Sequence, residues 1–381
     1  MPDRPFRVGI VGVEPGRSWS ARAHIPALRT LPEYFEIVGI ANTSRSSAEA
    51  AAAATGIPRA FADVHELVMA PEVDIVTVTV KVPHHREIVQ AAIRAGKHVY
   101  CEWPLGNGLL EAQDLAALAR ERGILGVIGT QARFAPELVY LRDLISEGFL
   151  GEVLSSALVA GGGGWGSLIP ENRAYAYVLN RANGATMLTI PVGHTLAALR
   201  DVLGEIAEVS AVLATRRQTA RVADTEEVFS VSAPDHVLVA GVLSSGVPLS
   251  IHYRSGTALD GNGLFWEING TEGCIRVSGP SGHTQMVQLS LFGARNGETA
   301  FRPLNVPASY RCGIAENVLS GNVARLYKRM ARDLIDGTRN APSFDDAVAV
   351  HRIIAAIESA AESGSRAVVC RECVELRLGV P

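Results

Sequence analysis

From Phe6 to Gln131 the sequence alternates between two periods, and that alternation restricts the fold more than any other feature. "FRVGIVGV" is an apolar run of strand length, "ARAHIPALRTL" follows with helical spacing, "FEIVGIANT" is a second strand, and "RSSAEAAAAATG" is an alanine-rich helix closed by Gly56. The beat continues through "DIVTVTV", "HREIVQAAIRAG", "HVYCEW", "GLLEAQDLAALARERG" and "LGVIGTQ". Strands without internal charge, separated by helices, form a parallel sheet covered on both faces. The expectation is a doubly wound α/β domain over residues 1–130.

Residues 131–381 read differently. "LSSALVAGGGGW", "AEVSAVLATRR", "EEVFSVSAPDHVLVAGVLSSGVPLSIHYRSG", "LFWEINGTEGCIRVSG" and "VQLSLFG" are short β-branched segments with turn signals between them, which predicts a mainly antiparallel sheet in an α+β domain. "PELVYLRDLISEG" joins the two parts, and "GNVARLYKRMARDLIDG" with "FDDAVAVHRIIAAIESAAESG" closes the chain, its acids and bases alternating on a face that reads as solvated. No period of about 20 to 50 residues recurs, which argues against a repeat fold. Two domains are the default for 381 residues, of which 48% are hydrophobic and 19% charged. A net charge of -4 with no basic block argues against nucleic acid as a partner. "MPDRPFRVGIVGV" lacks the apolar core of a signal peptide, and no apolar run reaches the ~20 residues of a membrane span, so a soluble, cytoplasmic protein without a membrane partner is expected. Five cysteines, an odd number, fit a reducing compartment. "CREC" (Cys370, Cys373) is a single CxxC that cannot assemble a four-ligand zinc site; it reads as a tail segment, and no metal is expected.

The first strand-to-helix turn, "GIVGVEPGRSWSARAHIPAL", carries Gly9, Gly12 and Gly16, which let backbone approach a ligand while the following helix offers N–H groups to a pyrophosphate. The spacing departs from G-x-G-x-x-G; position after the first strand of a parallel domain gives the motif its force. The second strand ends in "ANTSRSS", with no carboxylate for a ribose diol. Thr43, Ser44 and Arg45 suit a 2'-phosphate, so NADP(H) is favoured over NAD(H), the alternative being that Ser44 or Ser46 merely caps the next helix. Lys81 closes an apolar strand at its carboxyl end, where such sheets bind ligands; it meets the nicotinamide end and substrate, or only a cofactor phosphate or hydroxyl. His84 and His85 have no carboxylate cluster around them and are not read as metal ligands.

"HIPAL", "VPHHREIVQAAIRAGKHVYCEWPL", "LISEGFLGEV" and "GHTLAALRDVLG" occur in an order that resembles the Gfo/Idh/MocA oxidoreductase family, over about 360 residues. Within it, "EPGRSWSARAH", the "EW" of "CEWPL", "GGGGWG" and "NGATMLTIPVGHTLAAL" resemble the Gal80-like branch, that of the fungal galactose-regulon repressor. The resemblance implies an N-terminal Rossmann domain and a C-terminal domain with an open, mainly antiparallel sheet whose face receives substrate and often a neighbouring subunit. A homo-oligomer, dimer or tetramer, follows from that. It also implies a cofactor site built from Gly12, Arg17, Ser18 and Trp19 at the pyrophosphate turn, Thr43, Ser44 and Arg45 at the adenosine ribose, and Lys81, Glu102, Trp103, Pro104 and Gln131 beyond.

Two departures from the family pattern concern catalysis. The family's Glu-Lys-Pro aligns with Glu102, Trp103 and Pro104, and an indole N–H donates but does not titrate. The family's D-x-G-x-H pattern aligns with Ile190 to His194, keeping the histidine and losing the aspartate. His194 remains as a proton donor with an ordinary pKa, or as a structural histidine at a helix start. Lys81 and Tyr175 are the other candidates, and Tyr175, Tyr177, Trp165 and Asn183 lie in segments that face the cofactor in the family; the tyrosines equally suit packing at a subunit interface. Glycines 161 to 164 suit close approach to a ligand or partner. The function expected is an NAD(P)-dependent oxidoreductase acting on a sugar-like or other small cyclic substrate, the alternative being a non-catalytic dinucleotide-binding sensor or regulatory protein.

Overall fold

The computed structural model describes residues 4–369 apart from 163, 164, 167, 170–172, 224, 226, 257–262 and 316. Cys370, Cys373, Gly163 and Gly164 lie outside the described residues.

The first sheet contains β1 (Phe6–Val11), β2 (Phe35–Ala41), β3 (Ile75–Val78), β4 (His98–Glu102) and β5 (Gly126–Gly129). All pairs are parallel, in the order β2-β1-β3-β4-β5. Period-2 alternation sends Val8, Ile10, Ile75, Tyr100 and Val127 to one face and Val76, Val78, Val99 and Cys101 to the other. Helices α1 (Ile25–Arg29), α2 (Arg45–Thr55), α3 (Val64–Met69), α4 (His85–Arg94) and α5 (Leu109–Glu121) supply cover. The expected helix through "ARAHIPALRTL" begins as a π turn over Ser20–His24 that runs into α1.

After α6 (Pro136–Ser146) the chain builds β6 (Val153–Gly162), β7 (Leu168–Ile169), α7 (Gly193–Leu203), β8 (Ile206–Ala214), β9 (Thr219–Val222), β10 (Val228–Ser230), β11 (His236–Leu243) and β12 (Pro248–Ser255). It continues through β13 (Leu264–Gly270), β14 (Gly273–Gly279), β15 (Ser290–Arg295), β16 (Arg302–Pro303), α8 (Val318–Asp336), α9 (Phe344–Ser363) and β17 (Ala367–Val368). Nine of these strands form one open sheet, ordered β16-β15-β14-β13-β6-β12-β11-β8-β17, antiparallel except for β6 against β12. β10, β9 and β7 form a small separate sheet. The inner face of the large sheet, including Leu158, Ile251, Tyr253, Trp266 and Ile268, shares one core with residues of α7 and α9. On the outer face, Phe265, Val159, His252, Leu238 and Val212 are register partners in one row across five strands. Phe265, Val159, Leu238 and Val212 are 43, 38, 39 and 58% exposed.

Helix α8 returns to the first sheet. Leu326, Tyr327 and Met330 are fully buried among Val8, Ile10, Leu28 and Tyr100. Beyond it, Ile128 N–H donates to Pro342 O at 2.9 Å and Val127 bridges Ser343, so the segment between α8 and α9 covers the free edge of β5. Asp333 shapes that segment by accepting from Thr338 Oγ1 (2.6 Å), Asn340 N (2.8 Å) and Ala341 N (2.6 Å). Burial pushes its carboxyl up, but these hydrogen bonds outweigh burial and hold it below the usual carboxylate range. Among the described residues no helix is long and apolar enough to cross a membrane.

Asp333→Ala leaves buried amide donors without an acceptor and is expected to cost on the order of 2 kcal/mol at about pH 7. Because the folded pKa is depressed, this contribution is present above the unfolded value near ~4 and disappears as pH falls through the folded one. Urea denaturation at about pH 7 and about pH 3 should show the gap between wild type and variant closing in acid; an unchanged gap would contradict the assignment.

Candidate functional site

The sheet order reverses between β1 and β3, and a cleft of about 350 Å³ opens at the carboxyl ends of these strands, against residues 174–177, 190, 194 and 285–286 of the second half. Its floor is set by the first turn. Gly12 has φ +95°, and a Cβ there would sit 2.8 Å from Val80 Cγ1, so only glycine fits. Gly16, at φ +73°, has nothing within 4 Å of its Cβ position. Gly9 differs from the sequence expectation: a Cβ on it would meet Leu67 Cδ2 at 2.9 Å, so it serves packing against α3.

The turn is braced by side chains. Asn42 Oδ1 accepts from Val13 N (2.8 Å), while its Nδ2 donates to Val13 O (2.9 Å) and Ser47 O (3.1 Å). Ser20 Oγ donates to Gly12 O at 2.7 Å, and Thr79 Oγ1 to Val11 O at 2.9 Å. Arg17, Ser18 and Trp19 line the cleft. Thr43, Ser44 and Arg45 do not: all three are exposed, Ser44 caps α2 by accepting from Ser47 N (3.2 Å), and Arg45 Nε pairs with Glu49 Oε1 at 2.9 Å.

Glu102, Trp103 and Gln131 line the cleft and Pro104 does not. Glu102 is tied into the core: its Oε1 lies 2.9 Å from His24 Nε2, and its Oε2 accepts from Gln131 Nε2 at 3.3 Å. His24 Nδ1 contacts Tyr327 Oη at 2.9 Å, and that hydroxyl contacts Thr77 Oγ1 at 2.9 Å. The Trp103–Pro104 peptide is cis. The Trp103 indole is buried, donates from Nε1 to Thr189 O at 2.6 Å, and packs on the His351 ring with centroids 4.7 Å apart. A Cβ on Gly193 would strike it at 2.5 Å. The Trp103 side chain is therefore a wedge between the end of β4 and helices α7 and α9. His85 turns inward, its ring nitrogens 2.7 Å from Pro104 O and 3.0 Å from Val80 O, whereas His84 is exposed beside Glu87.

On the opposite wall, His194 occupies the first turn of α7 and is 3% exposed. Burial, reinforced by His283, lowers its pKa to about 3, so the ordinary value expected from sequence does not hold and the ring is neutral at physiological pH. Tyr175 and Tyr177 both line the cleft; burial pushes the Tyr177 phenol up to about 12, and Lys81 Nζ sits 4.8 Å from its ring centroid. Asn183 lies outside the lining and donates to Tyr177 O at 2.7 Å. Trp165 also lies outside it, stacked on His283 at 5.5 Å. Gln285, Met286, Glu14 and Arg22 line the cleft and were not foreseen; Gln285 arrives on a loop with no motif, whereas Glu14 and Arg22 flank the glycine turn and were legible there.

The lining suits a dinucleotide. Trp19 Nε1, Gln131 Oε1, His194 Nδ1 and Gln285 Oε1 are buried polar atoms with no internal partner, and all belong to cleft residues. Buried polar groups are almost always satisfied, so a donor and three nitrogen or oxygen sites gathered on residues that line one cleft suit a polar ligand that would complete them. The glycine turn and the cations Arg17 and Lys81 fit phosphate, and the aromatic rings of Trp19, Tyr175 and Tyr177 fit flat or cyclic groups.

Residues 6–129 match the oxidoreductase family with an NAD-binding Rossmann fold (GFO_IDH_MocA), and residues 136–279 match the Gal80p C-terminal domain. Dehydrogenase aclE of Aspergillus oryzae is 31% identical over 94% of this chain and 97% of its own length. The galactose/lactose metabolism regulatory protein GAL80 of Kluyveromyces lactis is 29% identical over 77% of this chain and 68% of its own. The crystal structure of that organism's transcriptional regulator Gal80p superposes with a TM-score of 0.84 at 27% identity, covering 97% and 95% of the two chains. The 1,5-anhydro-D-fructose reductase of Ensifer adhaerens is 30% identical over 63% of this chain and 67% of its own. The chain belongs to the Gfo/Idh/MocA oxidoreductase family, with a second half of the Gal80p type.

Proposed function

We propose that this protein is an NAD(P)-dependent oxidoreductase acting on a sugar-like or other small cyclic substrate in the interdomain cleft. The observation that carries the reading is the set of unpartnered polar atoms on Trp19, Gln131, His194 and Gln285, residues that line a cleft together with Glu14, Arg17 and Ser18 of the glycine-bearing turn region. Likeness along nearly the whole chain to a dehydrogenase, and in part to a reductase of an anhydro sugar, supports it. A bound nicotinamide supplies or accepts hydride.

The protein's own groups divide the remaining work. Neutral His194 hydrogen-bonds the reacting oxygen of the substrate and orients it. Lys81 and the Tyr175 hydroxyl exchange the substrate proton, since the Trp103 N–H does not titrate and burial pushes the Tyr177 phenol up to about 12, which keeps it protonated. Trp103 forms an apolar wall that keeps water away from the reacting atoms. NADP(H) is preferred over NAD(H), because the segment Thr43–Ser47 offers hydroxyls and the Arg45 guanidinium but no carboxylate. The Arg45–Glu49 pair is exposed and screened by solvent, so a 2'-phosphate readily replaces it. A second copy of the chain covers the exposed row Phe265, Val159, Leu238 and Val212, giving a homo-oligomer.

A second reading, a dinucleotide-binding sensor without turnover, is favoured by one specific observation. Trp103 fills the lysine position as a hydrogen-bonded wedge between both halves, a placement suited to reporting occupancy of the cleft.

Transfer of deuterium from labelled NADPH to a panel of sugars, anhydro sugars and cyclic ketones separates the two: stereospecific transfer is expected, and uniform absence of transfer with tight nucleotide binding establishes the sensor. With a substrate in hand, Lys81→Ala should lower kcat by about 10²- to 10⁴-fold. The kcat/KM profile should show no inflection near ~6.5 from His194, which stays neutral down to about 3; an inflection there that vanishes in His194→Gln would overturn its assignment. By calorimetry Arg45→Ala should weaken NADPH about tenfold and leave NADH unchanged, and equal losses would remove the 2'-phosphate role. Phe265→Glu with Leu238→Glu should convert an oligomer to monomers in light scattering; unaltered mass would place the interface elsewhere.

A further inference from the structure

Arg325, Lys328, Arg329 and Arg332 are spaced i, i+3, i+4 and i+7 along α8, which places them on one face. In the sequence they alternate with acids and read as a solvated face. The structure separates the two signs. Asp333 points into the turn after α8 and is saturated there, while all four cations line a cleft of about 430 Å³. Its other walls are Arg133 and Phe134 after β5, Arg142 of α6, and Ser309 and Tyr310.

The charges in this cleft do not balance. Arg133 is held by both oxygens of Asp201, at 2.5 and 2.7 Å, and Arg142 by Asp143 at 2.9 Å. Arg325 donates only to neutral acceptors, Phe134 O at 2.9 Å and Asn322 Oδ1 at 2.7 Å, and Lys328 Nζ donates to Cys312 O at 3.0 Å. Among the described residues none of the four cations of the α8 stripe forms an ion pair, and Arg329 and Arg332 are exposed at the rim. Cations so close on one helix repel one another, a cost that a multiply charged anion between them reverses. Guanidinium forks match phosphate oxygens in pairs. The volume suits a metabolite-sized ligand, and a recessed pocket on a chain of net charge -4 does not offer the long basic track that nucleic acid requires.

We propose that this cleft is a second ligand site, separate from the interdomain cleft, which binds a small compound bearing a pyrophosphate or more than one phosphate group through Arg325, Lys328, Arg329 and Arg332. The site lies behind the segment Gln131–Phe134: Gln131 faces the interdomain cleft and Glu102, while Phe134 O holds Arg325.

Inorganic pyrophosphate titrated into the full chain by calorimetry at low salt tests the site. Saturable binding is expected, with a component that is weakened about tenfold or more by the double substitution Arg329→Ser and Arg332→Ser and that Arg17→Ser in the interdomain cleft leaves in place. Should the double variant unfold at a lower temperature than wild type, Lys328→Gln alone should give the same direction of change. Absence of saturable binding, or loss on Arg17→Ser but not on the α8 substitutions, would overturn the proposal. So would citrate binding as tightly as pyrophosphate, or binding confined to an oligonucleotide or an acidic peptide.

Discussion

Thr77, Tyr327, His24 and Glu102 form a hydrogen-bonded chain through the core, each link 2.9 Å long, and Gln131 joins its far end. These residues come from β3, α8, the π turn before α1, the end of β4 and the segment after β5, so one network fixes these five elements relative to one another beside the cleft. Tyr100 stacks on Tyr327 with ring centroids 4.6 Å apart, and His24 meets both rings edge-on. Such a network holds because breaking one member leaves the others unsatisfied in a low-dielectric interior, at about 1–3 kcal/mol for each neutral group. The glutamate of the Glu-Trp-Pro segment is thereby a structural tie as well as part of the cleft wall.

The Trp103 wedge depends on that arrangement. With Glu102 anchored to the core, the next side chain is directed toward the second half, where Thr189 O accepts its N–H and Gly193 makes room for the ring. An ammonium there would face a buried histidine ring and an apolar helix start; an indole satisfies its single donor and buries the rest.

The segment from Gln131 to Phe134 is a thin wall between two clefts of different character. One is lined by aromatic rings and by residues with unpartnered polar atoms, the other by an excess of cations, of which those on α8 form no ion pair among the described residues. Arg133 crosses from this wall to Asp201 of α7 and comes within 3.5 Å of Asp346 of α9, so the wall is itself fastened to both helices that carry the second half's core.

Much of this was legible in the sequence. The alternation of periods dictated a parallel first sheet, because charge-free strands separated by helices have no other way to bury both faces, and the short β-branched runs dictated the second sheet. Gly12 could be singled out because a turn after the first strand needs a positive φ, and Trp103 because its chemistry differs from the lysine of the resembling family. Other properties required distance in sequence to become contact in space. Nothing local distinguishes Ser44 as a helix cap from Ser44 as a ribose ligand, nor gives His194 a pKa near 3, which is set by the burial that α7 acquires against its neighbours. That Tyr327 reaches His24 and that the cations of α8 face a pocket follow from α8 folding back onto the first sheet. A helix's periodicity fixes which residues share a face; which surface that face meets is decided only when the core closes.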